Sequence, residues 1–316
     1  MAAAQATVFG GSGFLGRHIV QGLAKAGTRV LVGVRKPELA GFLRTMGDVG
    51  QVVPIQVDLR DGAVVAAALE GSDVAINTVG ILYERGQQRF NAIHTQAAKR
   101  VAKAATAAEV GRLLHVSVLG AAAGSRYGRS KTAGEAAVRT AFPDATILRP
   151  SLMFGPDDDF FNRFAALARI APMLPLIDGG HTRFQPVHVE DIAAAAIHAL
   201  EDEHTAGRVF ELGGPRVYSF CELLEYIISE TERRCPLLPV PAALMIVKAW
   251  FLEFWPTPLL TRDQVRQLAS DSVVNDSAEV GRLADLGITP TALEAIVPAY
   301  LARYRRGGGL APSRSA

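Results

Sequence analysis

The sequence predicts an α/β protein built on a doubly wound parallel sheet, and two observations carry this prediction. Short apolar runs alternate with helical patterns through the first half of the chain, from Thr7–Phe9 to Thr146–Leu148. The runs are continuously apolar, which is typical of parallel strands covered on both faces. The first run also leads directly into a group of glycines and then into a helical pattern. Such alternation implies right-handed crossovers between parallel strands.

The individual elements follow from these patterns. Strands are expected where short apolar and β-branched runs are bounded by turn residues, at Thr7–Phe9, Arg29–Val34, Val52–Val57, Val74–Asn77, Leu113–Val118, Thr146–Leu148 and Val209–Leu212. Helices are expected where apolar residues recur at helical spacing, at Phe14–Ala26, Val64–Leu69, Asn91–Ala108, Lys131–Phe142, Val189–Leu200 and Phe220–Glu230. Gly27 stands where a glycine commonly ends a helix.

The regular alternation stops after Pro150, where proline and glycine interrupt the chain repeatedly. We therefore expect a first domain at residues 1–150. A smaller, mostly helical region at 151–306 follows, with some segments returning to the sheet. Residues 307–316 are rich in glycine, serine, proline and alanine. That composition predicts a disordered tail.

Composition excludes several classes of protein. The 316 residues are 49% apolar and carry a formal net charge of +2, without a basic stripe, so we expect a full core and no nucleic-acid partner. Cys221 and Cys235 lack the spacing of a disulfide scaffold or zinc site. The acidic run Asp157–Asp159 is interpreted as a solvated turn, so no metal site is expected. No signal peptide or membrane-spanning segment is expected, which favours a cytoplasmic location.

The stretch Gly10–Gly16 predicts a dinucleotide site in a Rossmann-type domain. A strand that turns tightly into a helix needs a residue at positive φ, a residue without Cβ near the pyrophosphate, and a small residue for helix packing. The helix N-terminus adds N–H groups and partial positive charge. A glycine-rich turn without a ligand is the alternative. The candidate cofactor-binding residues here are Gly10, Gly11, Ser12, Gly13, Phe14, Leu15 and Gly16.

The ends of the next strands indicate which dinucleotide binds. An NAD site places a carboxylate after the second strand, whereas this chain has Arg35 and Lys36 there. An arginine suits a 2′-phosphate, so NADP(H) is favoured over NAD(H). Asp58 is expected either to accept from the adenine amino group or to cap a helix. Further candidate cofactor contacts at strand ends are Leu59, Thr78, Val79, Gly80, Val116 and Pro150.

A second motif, Tyr127 and Lys131, suggests acid–base catalysis. Residues four apart share a helix face, and a lysine ammonium beside a phenol is expected to lower the pKa of the tyrosine. Such a tyrosine can exchange a proton with a carbonyl or alcohol during hydride transfer, and Ser117 could orient that oxygen. Two alternatives stay open: Tyr127, Lys131 and Ser117 act catalytically, or Tyr127 and Lys131 only line the nicotinamide ribose pocket.

Taken together, the motifs resemble those of the extended short-chain dehydrogenase/reductases, which include the NAD-dependent epimerases and dehydratases. The resemblance lies in Gly10–Gly16, Tyr127 with Lys131, Leu148–Ser151 with Phe154–Pro156, and Pro186–Asp191. More narrowly, the chain resembles the NADPH-binding accessory subunits of respiratory complex I (NADH:ubiquinone oxidoreductase) and their bacterial relatives. The narrower signs are Arg35, Ala141–Pro143, Asp158–Phe164 and Pro258–Val265.

This resemblance implies site roles. Gly10, Gly13 and Gly16 would contact the pyrophosphate, Arg35 the 2′-phosphate, and Tyr127 and Lys131 the nicotinamide ribose. In the complex I branch the cofactor is structural or regulatory, without established turnover. Ser117 corresponds to the orienting serine of active relatives, but it stands ten residues before Tyr127, a slightly short spacing.

Two functions follow as hypotheses. The first is an NADP(H)-binding protein of the complex I accessory type, docked on respiratory complex I or a membrane surface at the cytoplasmic face of the inner membrane. The second is an active NADP-dependent oxidoreductase or nucleotide-sugar epimerase/dehydratase that uses Tyr127, Lys131 and Ser117. The apolar, aromatic stretch at residues 236–255 is the candidate docking segment, with a helix expected from Ala242 to Trp255. Ordinary core of the smaller domain is its alternative interpretation.

Overall fold

The computed structural model describes residues 4–120, 124–255, 258, 260–275, 277 and 279–308. The strands are, in chain order, β1 (Gln5–Phe9), β2 (Arg29–Val34), β3 (Val52–Gln56), β4 (Val74–Asn77), β5 (Arg112–Val116), β6 (Thr146–Pro150), β7 (Met153–Phe154), β8 (Leu174–Ile177), β9 (Arg183–Phe184), β10 (Val187–His188), β11 (Val209–Leu212), β12 (Tyr218–Ser219) and β13 (Leu237–Val240).

The α-helices are, in chain order, α1 (Phe14–Lys25), α2 (Gly62–Leu69), α3 (Ala98–Ala107), α4 (Arg126–Ala141), α5 (Phe160–Ile170), α6 (Val189–Glu201), α7 (Phe220–Glu230), α8 (Ala242–Leu252), α9 (Arg262–Leu268) and α10 (Leu293–Leu301). A π-helix, Asn91–Ala97, precedes α3. The 3₁₀ helices are Pro37–Met46, Asp178–Gly180, Glu203–Thr205, Leu283–Leu286 and Ala302–Tyr304.

The chain forms two compact units made of interleaved segments. The first unit comprises Met1–Pro150, Val189–Leu212 and Val274–Thr289. The second unit comprises Ser151–His188, Gly213–Val273 and Pro290–Ala316. The predicted tail at 307–316 falls almost entirely outside the described residues, which end at 308.

A parallel sheet is the centre of the first unit and confirms the predicted fold class. Among the described residues it has seven strands, in the order β11-β6-β5-β4-β1-β2-β3. The strand order reverses between β1 and β4, and in such sheets ligands bind beyond the carboxyl ends of the strands at that point. Helix α1 packs against α6, while α2, α3 and α4 pack in series. The core between the sheet and α2, α3 and α4 includes the buried side chains of Phe9, Leu69 and Leu113.

The structure contains elements that the sequence did not predict, mostly in the second unit, and three differences are informative. The helix expected over Asn91–Ala108 starts as a π-helix and continues as α3. Helix α4 begins before Lys131, because Ser125 caps it by accepting the N–H of Gly128 at 2.9 Å. Strand β13 was not expected, and it pairs in parallel with β8. Its proline is tolerated because β13 lies at an edge.

The second unit has an aromatic core. The fully buried rings of Phe154, Phe161 and Phe220 lie in one cluster with residues of α5, α7 and α10. Three two-stranded ladders, β7 with β10, β9 with β12 and β8 with β13, complete the described part of this unit.

Asp158 corrects the interpretation of the acidic run as a solvated turn. Its carboxylate is buried and accepts the N–H groups of Phe161 at 2.6 Å and Asn162 at 3.3 Å, and the hydroxyl of Tyr300 at 2.6 Å. Burial raises the pKa of Asp158. Since the bonded N–H groups belong to the first turn of α5, Asp158 starts that helix and ties it to α10.

Candidate functional site

In the turn between β1 and α1, glycine is required at different positions for different physical reasons. Gly10 has φ +81° and lies against the end of β4, since a Cβ there would stand 2.8 Å from Thr78 Oγ1. A Cβ on Gly16 would stand 2.3 Å from the carbonyl oxygen of Gly10. Gly11 faces inward instead, where a Cβ would meet Val32 at 2.5 Å. The turn is therefore tight, and α1 begins directly on it.

The N-terminus of α1 is open to an anion. Its N-cap, Gly13, has no side chain to accept the N–H groups of the first turn, and that turn contains no acid. Helix α2 shows the contrast, because the Asp61 carboxylate accepts from Ala63 and Val64 at its N-terminus. Uncapped N–H groups and the helix dipole favour a phosphate. The predicted residues here lie as follows: Ser12 and Phe14 are half-buried, and Leu15 and Gly16 are buried.

The ends of β2 and β3 carry a group of charges. Arg35 and Lys36 are exposed just after β2. Asp58 is engaged by Arg60, whose Nε lies 3.0 Å from Oδ1 and whose Nη2 lies 2.6 Å from Oδ2. The Arg60 hydrogen bond is the main cause that lowers the pKa of Asp58 to about 2, and Arg35 adds to it. Leu59 is buried beside this group.

The segment after β4 contacts both the turn that follows β1 and helix α4. The Thr78 N–H and hydroxyl both donate to the carbonyl of Phe9, at 3.0 and 2.9 Å. The Val79 N–H donates to Asn77 Oδ1 at 3.1 Å. Gly80 is exposed, and a Cβ there would stand 3.5 Å from Lys131 Nζ. Thr78, Val79 and Gly80 thus lie between the glycine turn and α4.

Lys131 and Ser117 are buried polar groups with spare hydrogen-bonding capacity. Lys131 Nζ donates to the carbonyl of Val116 at 2.9 Å, which leaves two of its N–H groups for other partners. Burial lowers the pKa of Lys131 to about 8. Ser117 Oγ has no hydrogen-bond partner among the described residues. Pro150 is also buried here, and its carbonyl accepts the N–H of Leu119.

Tyr127 corrects the expected effect of Lys131. Burial raises the pKa of Tyr127 to about 12, although a lowered value was expected. The physical reason is that a phenolate at this half-buried position would lose hydration. Lys131 is itself buried and already donates a hydrogen bond to the carbonyl of Val116. Tyr127 is therefore a neutral phenol in this structure.

Two histidines belong to the site and were not predicted. His94, in the π-helix, accepts the N–H of Ile81 at Nε2 and lies 2.8 Å from Ser130 Oγ at Nδ1. His115 Nδ1 lies 3.2 Å from Asn77 Nδ2, and its Nε2 has no partner among the described residues. Burial first, and then the charge of Lys131, lowers the pKa of each histidine to about 3. Neither histidine has a local sequence signal, since its partners are distant in sequence or occupy ordinary strand positions.

Helix α8 and the residues after it present an exposed apolar surface within the second unit. Met245 and Ala249 are buried, and Ile246 and Leu252 are half-buried. Six other large apolar side chains are 45–74% exposed. The core interpretation is therefore correct for Met245 and Ala249 and wrong for the exposed side chains. Helix α8 ends at Leu252, three residues before the expected end at Trp255. The α8 surface consists of Leu244, Val247, Trp250, Phe251, Phe254 and Trp255.

No helix in the described ranges is both long and apolar enough to cross a bilayer.

Comparisons with known proteins agree with this geometry. The model of the NAD dependent epimerase/dehydratase family matches residues 6–213. The chain is 39% identical to the mitochondrial "NADH dehydrogenase [ubiquinone] 1 alpha subcomplex subunit 9" of Arabidopsis thaliana, over 96% of this chain and 78% of the relative. It is 33% identical to the mitochondrial "NADH-ubiquinone oxidoreductase 40 kDa subunit" of Neurospora crassa, over 95% and 79%.

A solved structure shows the same fold. It is the NADPH-dependent quinone oxidoreductase QOR2 of Escherichia coli, complexed with NADPH, with a TM-score of 0.73 at 19% identity. The likeness covers 94% of this chain and 99% of that one.

The buried neutral histidines predict a loss of stability in acid. His94 and His115 bind a proton in the unfolded chain below about pH 6.5, but in the folded protein only near pH 3. The free energy of unfolding should therefore fall as pH drops from 6.5 towards 3, by at most about 1.4 kcal/mol per pH unit for each histidine. Urea unfolding at several pH values measures this slope. The slope should be shallower in His115→Gln, and an unchanged slope would contradict the assignment.

Proposed function

Since the chain belongs to the NAD dependent epimerase/dehydratase family, and within it to the complex I subunit 9 proteins, we propose that it is an NADP(H)-binding protein of the complex I accessory type. The cofactor serves as a structural or regulatory group. The observation that carries the proposal is the uncapped N-terminus of α1 on its glycine turn, with Arg35 and Lys36 exposed just after β2, the strand that pairs with β1. Gly10, Gly13 and Gly16 would hold the pyrophosphate there.

The charges after β2 and β3 support a preference for NADP(H). A free carboxylate at Asp58 would repel a 2′-phosphate, but Arg60 already neutralises it with a two-pronged ion pair. Arg35 and Lys36 form no ion pair with a described residue, so their charges remain available. The guanidinium of an arginine and the ammonium of a lysine suit the 2′-phosphate of NADP(H) better than the 2′-hydroxyl of NAD(H).

The side chains at the nicotinamide end of the proposed site support binding of NADPH more directly than they support catalytic turnover. Two N–H groups of Lys131 and the hydroxyl of Ser117 are available to ribose or carboxamide oxygens. When bound, NADPH supplies a hydride donor at this end of the site. The raised pKa of Tyr127 makes this phenol a weak acid and a poor source of phenolate, whereas efficient acid–base catalysis needs a pKa near the working pH.

A second candidate function is the NADP-dependent oxidoreductase or epimerase. One observation favours it, namely that Ser117, Tyr127 and Lys131 are all present at the carboxyl edge of the sheet and Ser117 Oγ has no partner among the described residues. In that case Tyr127 is the acid/base, Lys131 supports it electrostatically and Ser117 orients the reacting oxygen.

The α8 surface supports a docking role for the second unit. We propose that it rests on the lipid surface of a membrane at the cytoplasmic face, where respiratory complex I would also be within reach. Tryptophan and phenylalanine suit a boundary between apolar and wet surroundings. Lys248 is exposed among them and can extend its charge towards headgroups, and α8 contains no acid.

The cofactor preference is tested by calorimetry with NADPH and NADH. We expect NADPH to bind more tightly, and Arg35→Ala to weaken NADPH selectively by about 1.5–3 kcal/mol, the range for hydrogen bonds to charged groups. Arg44→Ala, an exposed arginine in the following 3₁₀ helix, is the matched control and should change neither affinity. Equal affinities of the parent protein for both cofactors would remove the NADP(H) assignment.

Turnover is tested by incubating the protein with NADPH and a broad panel of carbonyl compounds and nucleotide sugars. The accessory function predicts that bound NADPH persists unoxidised. Steady oxidation that is lost in Tyr127→Phe, with NADPH affinity nearly intact, would establish the enzyme function instead. Absorbance at the reduced nicotinamide band measures both outcomes.

Docking is tested by flotation with liposomes and with native membranes. We expect the parent protein to float with anionic liposomes, and Trp250→Ser combined with Phe254→Ser to stay in solution. Leu39→Ser combined with Val49→Ser removes exposed apolar side chains of the first unit and should float like the parent. Flotation with native membranes alone would indicate a protein partner, and none with either would end the docking proposal.

A further inference from the structure

His94 links the segment after β4 to the start of α4. We propose that it is a positioning residue for the nicotinamide end of the cofactor site, fixing Gly80, Tyr127 and Lys131 relative to one another. The inference rests on the proposed NADP(H) binding and adds a residue that the glycine turn and the Tyr127–Lys131 motif do not include.

The hydrogen bonds of His94 admit only one arrangement of protons. Nε2 accepts the N–H of Ile81 at 3.0 Å, so it carries no proton itself. The Ser130 hydroxyl donates to the carbonyl of Tyr127 at 2.7 Å. Nδ1 must therefore donate to Ser130 Oγ, 2.8 Å away. The neutral imidazole thus joins Ile81 to the first turn of α4 through one continuous chain of hydrogen bonds.

Packing holds the ring in this orientation. Phe90 stacks on His94 with ring centroids 5.4 Å apart, and Tyr127 meets the ring edge-on at 5.2 Å. Helix α4 comes so close that a Cβ on Gly134 would stand 2.0 Å from the carbonyl oxygen of His94. The Thr95 hydroxyl donates to the carbonyl of Ser130 at 3.1 Å, a bond that lies beside this hydrogen-bond chain and does not involve the ring. The π-helical turn fits the observation that such turns concentrate at functional sites.

The position of Gly80 connects this arrangement to ligand binding. A Cβ on Gly80 would stand 3.5 Å from Lys131 Nζ and 3.8 Å from His94 Nε2. His94 and Lys131 therefore approach the same exposed glycine, at the point where a ligand can reach the backbone. A proton on Nε2 would break the bond to Ile81 and place a second cation near Lys131, so the site requires the neutral form.

Binding of two ligands distinguishes a positioning role of His94 from a general effect of its substitution on the stability of the protein. NADPH contacts the whole site, whereas adenosine 2′,5′-bisphosphate contacts only the adenosine end. We expect His94→Phe, which keeps a ring but no hydrogen bonds, to weaken NADPH by about tenfold, as expected for the loss of hydrogen bonds in the site. The affinity for adenosine 2′,5′-bisphosphate should stay within about twofold. His94→Gln, whose amide oxygen can accept from Ile81, should recover most of the NADPH affinity.

Other variants keep the proposal falsifiable if His94→Phe does not fold. Ser130→Ala removes the link to Tyr127 and should weaken NADPH selectively, by less than His94→Phe. Thr95→Val, which loses only the neighbouring bond to Ser130, is the matched control and should leave both affinities unchanged. If the variants lower the affinities for both ligands equally, so that the ratio of the two affinities does not change, the role of His94 is overturned. The proposal of NADP(H) binding is unaffected by that result. A parent protein that binds neither ligand overturns both proposals.

Discussion

The direct packing of α1 onto the turn after β1 is the constraint on which the first unit depends. Any side chain at Gly16 would strike the carbonyl oxygen of Gly10, and Gly10 itself needs a positive φ against Thr78. These contacts place the uncapped helix N-terminus at the point where the strand order reverses. The phosphate binding that we propose for this turn would therefore follow from backbone packing, with no charged side chain in the turn.

Charge is distributed differently at the two ends of the proposed cofactor site, the proposed adenosine end and the proposed nicotinamide end. At the adenosine end, exposed Arg35 and Lys36 stand beside an acid that Arg60 already neutralises. At the nicotinamide end, the cation Lys131 is buried, and the two histidines near it are neutral because burial and its charge both oppose their protonation. The first end favours a multiply charged anion, and the second favours oxygen atoms that accept hydrogen bonds.

Local patterns in the sequence were enough to predict the seven strands of the parallel sheet, the glycine turn and the exposed cations after β2. They could not predict His94, whose partners Ile81 and Ser130 are 13 and 36 residues away. They also misjudged Tyr127 and Asp158, because the pKa of a phenol and the burial of a carboxylate depend on tertiary packing, with Tyr300 meeting Asp158 across 142 residues. Contacts between segments that are distant in sequence determine the pKa values and hydrogen bonds of such a site.

The interleaving of the two units has a consequence for synthesis on the ribosome. The edge strand β11 follows β6 by some sixty residues, and Gly281 bonds to both Val209 and Glu211 along its outer side. Glu211 also pairs with Arg149 of β6, next to the buried Glu135. The sheet therefore cannot reach its final form until nearly the whole chain has emerged. Until then β6 is an unpaired edge of the sheet, the kind of surface that chaperones cover.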